Sequence, residues 1–222
     1  MRIFRSPLLA FLSLVLASSL AWAKKMPEID EEGMHLVKDS ELATVYADPE
    51  ADLSGYNKVW LEDATVAFKK NWQRDQNRSR GIRVKDSDME RIRKDVAELF
   101  REVMEKELAD GGYEVVSEAG PDVLRVEPAI INLDVTAPDI QTAGRTMQFS
   151  ESAGEMTLQV VLYDSETGDK IAKAMDRKQD YRRGYAEYRT SVSNTQAARR
   201  MMGSWAKALR EALDEAHASV KG

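Results

Sequence analysis

Catalysis and metal binding draw on a few residue types at defined spacings, and this chain is sparing with them. Of its 222 residues, two are His and none is Cys. His35 stands in a polar stretch near one end and His217 near the other, and neither has a second His or a Cys at ligand spacing. Metal centres draw on such sets, so the sequence predicts two solvent-exposed histidines and no metal. The absence of Cys removes disulfides, thiolate ligands and thiol nucleophiles together. Asp134-Val135-Thr136 and the run Asp164-Ser165-Glu166-Thr167-Gly168-Asp169 offer oxygen donors. The run lacks the twelve-residue spacing and closing Glu of a calcium loop, and reads as a hairpin turn in which Gly168 takes positive φ. Ser152-Ala153-Gly154 is no nucleophile elbow, and a Ser-His-Asp triad would have to recruit one of the two isolated histidines. No glycine pattern for a nucleotide phosphate is present. The 38 acidic residues allow many carboxylate pairs, and nothing in the sequence singles one out. No cofactor is implied, and the expectation is a protein that is not an enzyme.

Positive charge is distributed less evenly. Lys69, Lys70, Arg74, Arg78, Arg80, Arg83 and Lys85 crowd one stretch, broken by Asp75 and accompanied by Trp72 and Gln73. Arg177, Lys178, Arg182, Arg183 and Arg189 form a second cluster, interleaved with Tyr181, Tyr185 and Tyr188. One reading is a pair of solvated loops. The other is a contact surface for an anionic partner, since Tyr and Arg are enriched at interfaces and clustered charge steers association. The residues chosen for that surface are Arg78, Arg80, Arg83, Arg182, Arg183, Tyr185 and Tyr188. The overall balance of 32 basic to 38 acidic residues argues against a nucleic-acid partner.

These residues have to be held by a fold. Arg2 and Arg5, the apolar run Leu8–Leu20 and Ala21-Trp22-Ala23 have the layout of an export signal cleaved before Lys24. The run is short for a membrane span of about 20 apolar residues. The expectation is therefore a protein of the periplasm, or a secreted one, with no transmembrane segment after cleavage and a mature net charge of −8 from 30 basic and 38 acidic residues. Residues 24–53 read as a polar strap with little regular structure, pinned by Met34, Leu36, Val37 and Val45-Tyr46, and residues 54–222 as a single domain. Asn57–Phe68 reads as a strand interrupted at Glu62-Asp63, and Lys69–Lys85 as a loop. Ser87 with Glu90 predicts a capped helix whose stripe includes Met89, Ile92, Val96, Leu99, Phe100, Val103 and Leu108, stopped by Gly111-Gly112. Strands are expected over 113–116, over 123–135 with an edge or bulge at Pro128, over 156–163 and over 170–181, with an exposed loop over 136–148. A last helix, capped by Asn194 or Thr195, carries Ala198, Met201, Met202, Trp205, Leu209, Ala212, Leu213 and Ala216. The fold class that follows is α+β: a two-layer domain with a mainly antiparallel or mixed sheet of about five strands and two long helices on one face.

Five landmarks then stand in order: Leu53-x-x-Tyr56-x-x-Val59, Leu108-x-x-Gly111-Gly112-Tyr113, Pro121-Asp122-Val123-Leu124, Leu162-Tyr163-Asp164-x-x-Thr167-Gly168, and the helix bearing Trp205. Over roughly residues 30–218 this order resembles a family of exported proteins and lipoproteins of Gram-negative bacteria catalogued as a domain of unknown function. Many such members carry a lipid-bearing Cys, which this chain lacks. The resemblance brings no activity and no catalytic residues. Three functions stay open: an interaction protein or accessory component of the cell envelope with a protein partner, a small-ligand binder with a pocket between sheet and helices, and a carboxylate-dependent hydrolase of envelope polymers.

Overall fold

A computed structural model describes residues 26–79, 83–135, 149–150, 152–181, 187–188 and 191–220. Its strands are β1 (His35–Leu36), β2 (Thr44–Ala47), β3 (Lys58–Leu61), β4 (Thr65–Phe68), β5 (Glu114–Val116), β6 (Val123–Val135), β7 (Phe149–Ser150), β8 (Ser152–Asp164), β9 (Lys170–Tyr181) and β10 (Glu187–Tyr188). Its helices are α1 (Trp72–Ser79), α2 (Asp86–Asp110) and α3 (Ser191–Val220). Eight strands form one mixed sheet in the order β1-β2-β9-β8-β6-β3-β5, with β4 also pairing β6, and β7 and β10 form a separate ribbon. The fold is α+β, as expected, but among the described residues the main sheet has eight strands rather than about five, and a third, short helix joins the two long ones. The polar strap is more regular than its composition suggested. Its β1 and β2 pair, and β2 extends the sheet along β9.

Strand β6 organises the rest. It pairs antiparallel with β8 along one edge and parallel with β3, then β4, along the other. Leu124, Val126, Pro128 and Ile130 are fully buried. Arg125 and Glu127 point to the opposite face, as strand alternation requires. Pro128 was expected at an edge or bulge, yet it sits mid-strand in the central strand. The reason is the break opposite it. Strand β3 ends against Val126 at Leu61, and β4 begins against Ala129 at Thr65. The Val126 carbonyl accepts from Glu62 N, so an N–H at position 128 would point to the same β3/β4 side, where Pro128 has none to donate. It faces the interruption at Glu62-Asp63, where a missing N–H costs nothing. Arg101 of α2 closes the same break, donating to Leu61 O at 2.9 Å and Asp63 Oδ1 at 2.8 Å.

The two long helices run side by side in the same direction over the buried face of the sheet, Glu102 meeting Arg199 and Glu107 meeting Arg210. Helix α2 buries Ile92, Phe100, Met104 and Leu108. The expected cap at Ser87 is displaced by two residues: Lys85 N donates to Asp88 Oδ2 at 2.9 Å, and the acceptor comes from the acid, since a lysine side chain has none to offer. Helix α3 starts three or four residues before the expected caps, at Ser191, and buries Met202, Trp205, Ala206 and Leu213. Trp205 pins it to the sheet: its Nε1 donates at 2.7 Å to Asp176 Oδ2 on β9, a carboxylate only 5% exposed. Ala43 N and Lys178 Nζ supply the other partners, each at 3.1 Å.

Four of the five sequence landmarks, with the C-terminal half of the helix that bears Trp205, meet at the lower end of this assembly and act as a latch. Tyr56 Oη donates to Asp164 Oδ2 at 2.8 Å, and His217 Nε2 lies 3.0 Å from the Tyr56 carbonyl. His217 is thus partly buried and structural, against the expectation that both histidines are exposed; His35 is exposed. Tyr113 Oη donates to Asp214 Oδ1 at 2.8 Å, and Arg210 Nε reaches Glu107 Oε1 at 2.8 Å. The Arg210 stem crosses Gly111 so closely that a Cβ there would lie 2.6 Å from it. Gly168 takes φ 75° in the turn after Asp164, as the hairpin reading required.

Two stability predictions follow from these contacts. Trp205→Phe removes the shortest hydrogen bond to the buried Asp176 carboxylate, leaving it Ala43 N and Lys178 Nζ, and is expected to lower unfolding stability by about 1–3 kcal/mol in urea titrations. Burial and then the Asp214 carboxylate push the Tyr113 hydroxyl up to about 12. Burial and Asp164 push Tyr56 up as well. Both folded values lie above the unfolded one of about 10, so their contribution is complete below that pH and is lost as pH rises through the folded values. Replacing both by Phe is expected to flatten the fall in urea midpoint between about pH 10 and 12, while absorbance at 295 nm reports the loss of the late tyrosine ionisations.

Candidate functional site

The upper end is built differently. There β4, β6 and β9 finish, β8 begins, and α1, α2 and α3 start. Asn132 takes φ 52° and inserts one extra residue in β6: Ile131 faces Thr157 but Asp134 faces Glu155, and on the other side Val66 faces Ile130 but Phe68 faces Leu133. This bulge reverses the strand's alternation. Without it Asn132 would join Ile130 on the helix side. With it Asn132 is exposed and Leu133 is 2% exposed. Across the sheet Gly154 takes φ 139°, and a Cβ there would come within 2.1 Å of the Asp134 carbonyl, so only glycine lets β8 approach the bulged strand.

An open groove of about 420 Å³ lies between this end of the sheet and the two helices. Ile92, Val96 and Leu99 of α2 line it, with Ala198 and Met201 of α3. Leu133, Val135 and Met156 complete it from the sheet. The first two face it because of the bulge. Five acids also border the groove, and each already has a cation. Asp95 lies 3.7 Å from Arg91 and Glu98 lies 3.6 Å from Lys94. Glu102 takes two bonds from Arg199, at 2.8 and 2.9 Å, joining α2 to α3. Lys69 Nζ bonds Asp134 at 3.1 Å and Glu155 at 3.3 Å, and Arg177 bonds Glu155 as well. Arg199 holds the Glu102 carboxyl below the usual carboxylate range. Arg177, and then Lys69, do the same for Glu155 against an opposing burial effect. A glycosidase acid needs the opposite shift. Among the described residues no group of three metal-ligating side chains comes together.

The basic stretch 69–85 is no plain loop. Helix α1 occupies its middle because Trp72 is a core residue, 3% exposed and stacked 4.5 Å from Phe68. One turn apart, Gln73 and Asn77 clamp the returning chain at Val84: Asn77 Oδ1 accepts from Val84 N at 2.6 Å, and Gln73 Nε2 donates to Val84 O at 3.2 Å. The signal was present as the i, i+4 pairs Trp72/Gln76 and Gln73/Asn77, but the charges hid it. Arg78 lies on α1 and Arg83 just before α2, both exposed. Tyr188 lies in β10, paired with Phe149. Arg80, Arg182, Arg183 and Tyr185 lie outside the described residues, as does the expected loop 136–148. Sequence reasoning raised a pocket between sheet and helices but named none of its lining, and it missed the Lys69 cluster, since both depend on the bulge.

A family model described as "Protein of unknown function (DUF3313)" matches residues 34–209. The chain belongs to the DUF3313 family. This is the kind of family its ordered landmarks pointed to. No curated protein matches this DUF3313 chain. Among solved structures it is similar to the PelC dodecamer from Paraburkholderia phytofirmans, at 10% identity over 74% of this chain and 97% of that one, TM-score 0.38. It is similar to a protein of the DUF330 family model from Xanthomonas campestris, at 10% identity over 79% and 94%, TM-score 0.42. A candidate lipoprotein from Caulobacter crescentus gives 12% identity over 77% and 95%, TM-score 0.34. No helix among the described residues is long and apolar enough to cross a membrane.

The cluster around Glu155 makes a signed prediction. Its folded pKa is depressed, so its contribution is present above the unfolded carboxyl range of about 4.3 and is lost as pH falls through the folded value. Glu155→Gln is expected to lower the urea midpoint at pH 7, and the gap to the parent is expected to close as the titration is carried below pH of about 4.

Proposed function

We propose that this DUF3313 chain is an exported, non-enzymatic component of the bacterial cell envelope, working in the periplasm and meeting a protein partner with the upper end of its fold. One observation carries the reading. The carboxylates bordering the groove are each neutralised by a cation of the same chain, which suits a preformed binding surface and leaves acid–base chemistry without a poised group. The signal-like N-terminus supports export. The exits of the two basic stretches from the sheet support an anionic contact: Phe68 ends β4 and Tyr181 ends β9, three strand spacings apart, or about 14 Å. Arg78, Arg80 and Arg83 follow the first, and Arg182, Arg183, Tyr185 and Tyr188 follow the second, so both basic stretches leave the sheet at one end of an otherwise acidic protein.

The groove also supports a second reading, a small-ligand site between the sheet and the long helices, because its volume falls in the range of about 300–1,000 Å³ typical of such sites.

The partner reading is tested by crosslinking in living cells, purification of the protein and mass spectrometry of what accompanies it. One envelope protein enriched over an abundant periplasmic control is expected. R78E/R80E and R182E/R183E are each expected to reduce that enrichment at least tenfold while leaving the circular dichroism spectrum and urea midpoint unchanged. Full enrichment in both charge-reversed variants contradicts the assignment.

A further inference from the structure

We infer that the groove between α2, α3 and the upper end of the sheet holds a single unbranched alkyl chain, the tail of a lipid or fatty acid; this rests on the small-ligand reading above and names its ligand class. Three observations carry it. The first is what the groove leaves unsatisfied. Asp95, Glu98, Glu102, Asp134 and Glu155 are each paired with a cation of the same chain. A charged ligand would have to compete with those pairs. The remainder is the half-buried apolar side chains of Val96, Leu99 and Val135 above a floor of Leu133, Met156 and Met201, with Asn194 and Thr195 of α3 at one border. Burying apolar surface is the gain such a floor offers.

The second observation is shape. The lining runs along α2 from Arg91 to Glu102, a rise of about 16 Å. A volume of about 420 Å³ spread along that length makes the groove longer than it is wide. A protein interface needs about 800 Å² of surface on each partner, far more than the few half-buried side chains of this lining present. The groove suits one extended chain laid along α2. Met156 and Met201 add side chains that adapt to a flexible occupant.

The third observation is that the apolar lining depends on a local irregularity. An unbroken β6 would turn Leu133 and Val135 to the opposite face and offer Asn132 and Asp134 instead. The left-handed residue Asn132 and the register shifts in both neighbouring strands reverse this. Bulges that re-aim side chains are over-represented beside functional sites.

The test uses the mature chain 24–222 and the neutral fluorophore N-phenyl-1-naphthylamine, displaced by octanol, decanol and dodecanol. A single saturable site is expected, with displacement tightening roughly fourfold for each added methylene. Val96→Asp and Leu99→Gln, both at half-buried positions, are expected to weaken it at least tenfold, and the urea midpoint shows which of them folds like the parent. Decanoate and a decanoyl lysophospholipid then identify the source: preference for either supports the inference and tells a free fatty acid from a membrane lipid. Native mass spectrometry of the purified protein separates the two levels of the claim. A bound polar metabolite, with no dependence on alkyl length, overturns the inference and keeps the small-ligand reading. The absence of both a retained ligand and saturable fluorophore uptake overturns the inference and the small-ligand reading together. Parent-like displacement in a well-folded Val96→Asp or Leu99→Gln protein overturns the placement in this groove.

Discussion

One backbone irregularity, the left-handed residue at Asn132, sets the character of the upper end. Strand β6 is hydrogen-bonded along both edges, so it cannot bend away from the sheet as an edge strand could. A single inserted residue is the remaining way to change which side chains meet the helices. Three features follow from that insertion. Leu133 and Val135 turn toward α2 and α3. Asp134 comes alongside Glu155 within reach of Lys69. Gly154 becomes obligatory opposite, because the Asp134 carbonyl occupies the space a side chain would need.

The two ends of the sheet therefore do different work. Below, Tyr56, Tyr113, Asp164, Asp214, Arg210 and His217 bond to one another and hold the C-terminal half of α3 against the strand ends. With no Cys to crosslink the chain, such packing and hydrogen bonding carry the stability. Above, the carboxylates are equally paired, but they border an open groove with an apolar floor. The residues that mark the family order belong to the lower end and to Trp205. Their physical role is to hold the frame, which is why they identify the family without indicating an activity.

The parts of the fold readable from sequence were those with a simple period or a turn signal. The span of β6, the hairpin at Gly168 and the apolar stripes of α2 and α3 were legible because burial on one face leaves a pattern of two or of about 3.6 residues. Helix α1 was not, because Trp72 and Gln76 face inward from a stretch dominated by Lys and Arg. Strands β1 and β2 were hidden in an acidic segment whose Asp30 and Glu32 are satisfied by Lys170 and Lys173 of β9. Pro128 looked like an edge residue because sequence alone does not show that its neighbouring strand changes from β3 to β4 at that point. The groove was illegible for the same kind of reason: its lining comes from three separate elements, and the strand alternation that would have assigned it breaks at Asn132.

The absence of native Cys makes the bulge directly measurable. Single substitutions Asn132→Cys and Leu133→Cys, labelled with a small maleimide in the folded protein, read which neighbour faces solvent. The structure predicts rapid labelling of Asn132→Cys and strong protection of Leu133→Cys, with both reacting fully in urea. The reverse order, protection at 132 and reaction at 133, is the pattern of an unbroken strand and would contradict the account of the groove and of the charge cluster beside it.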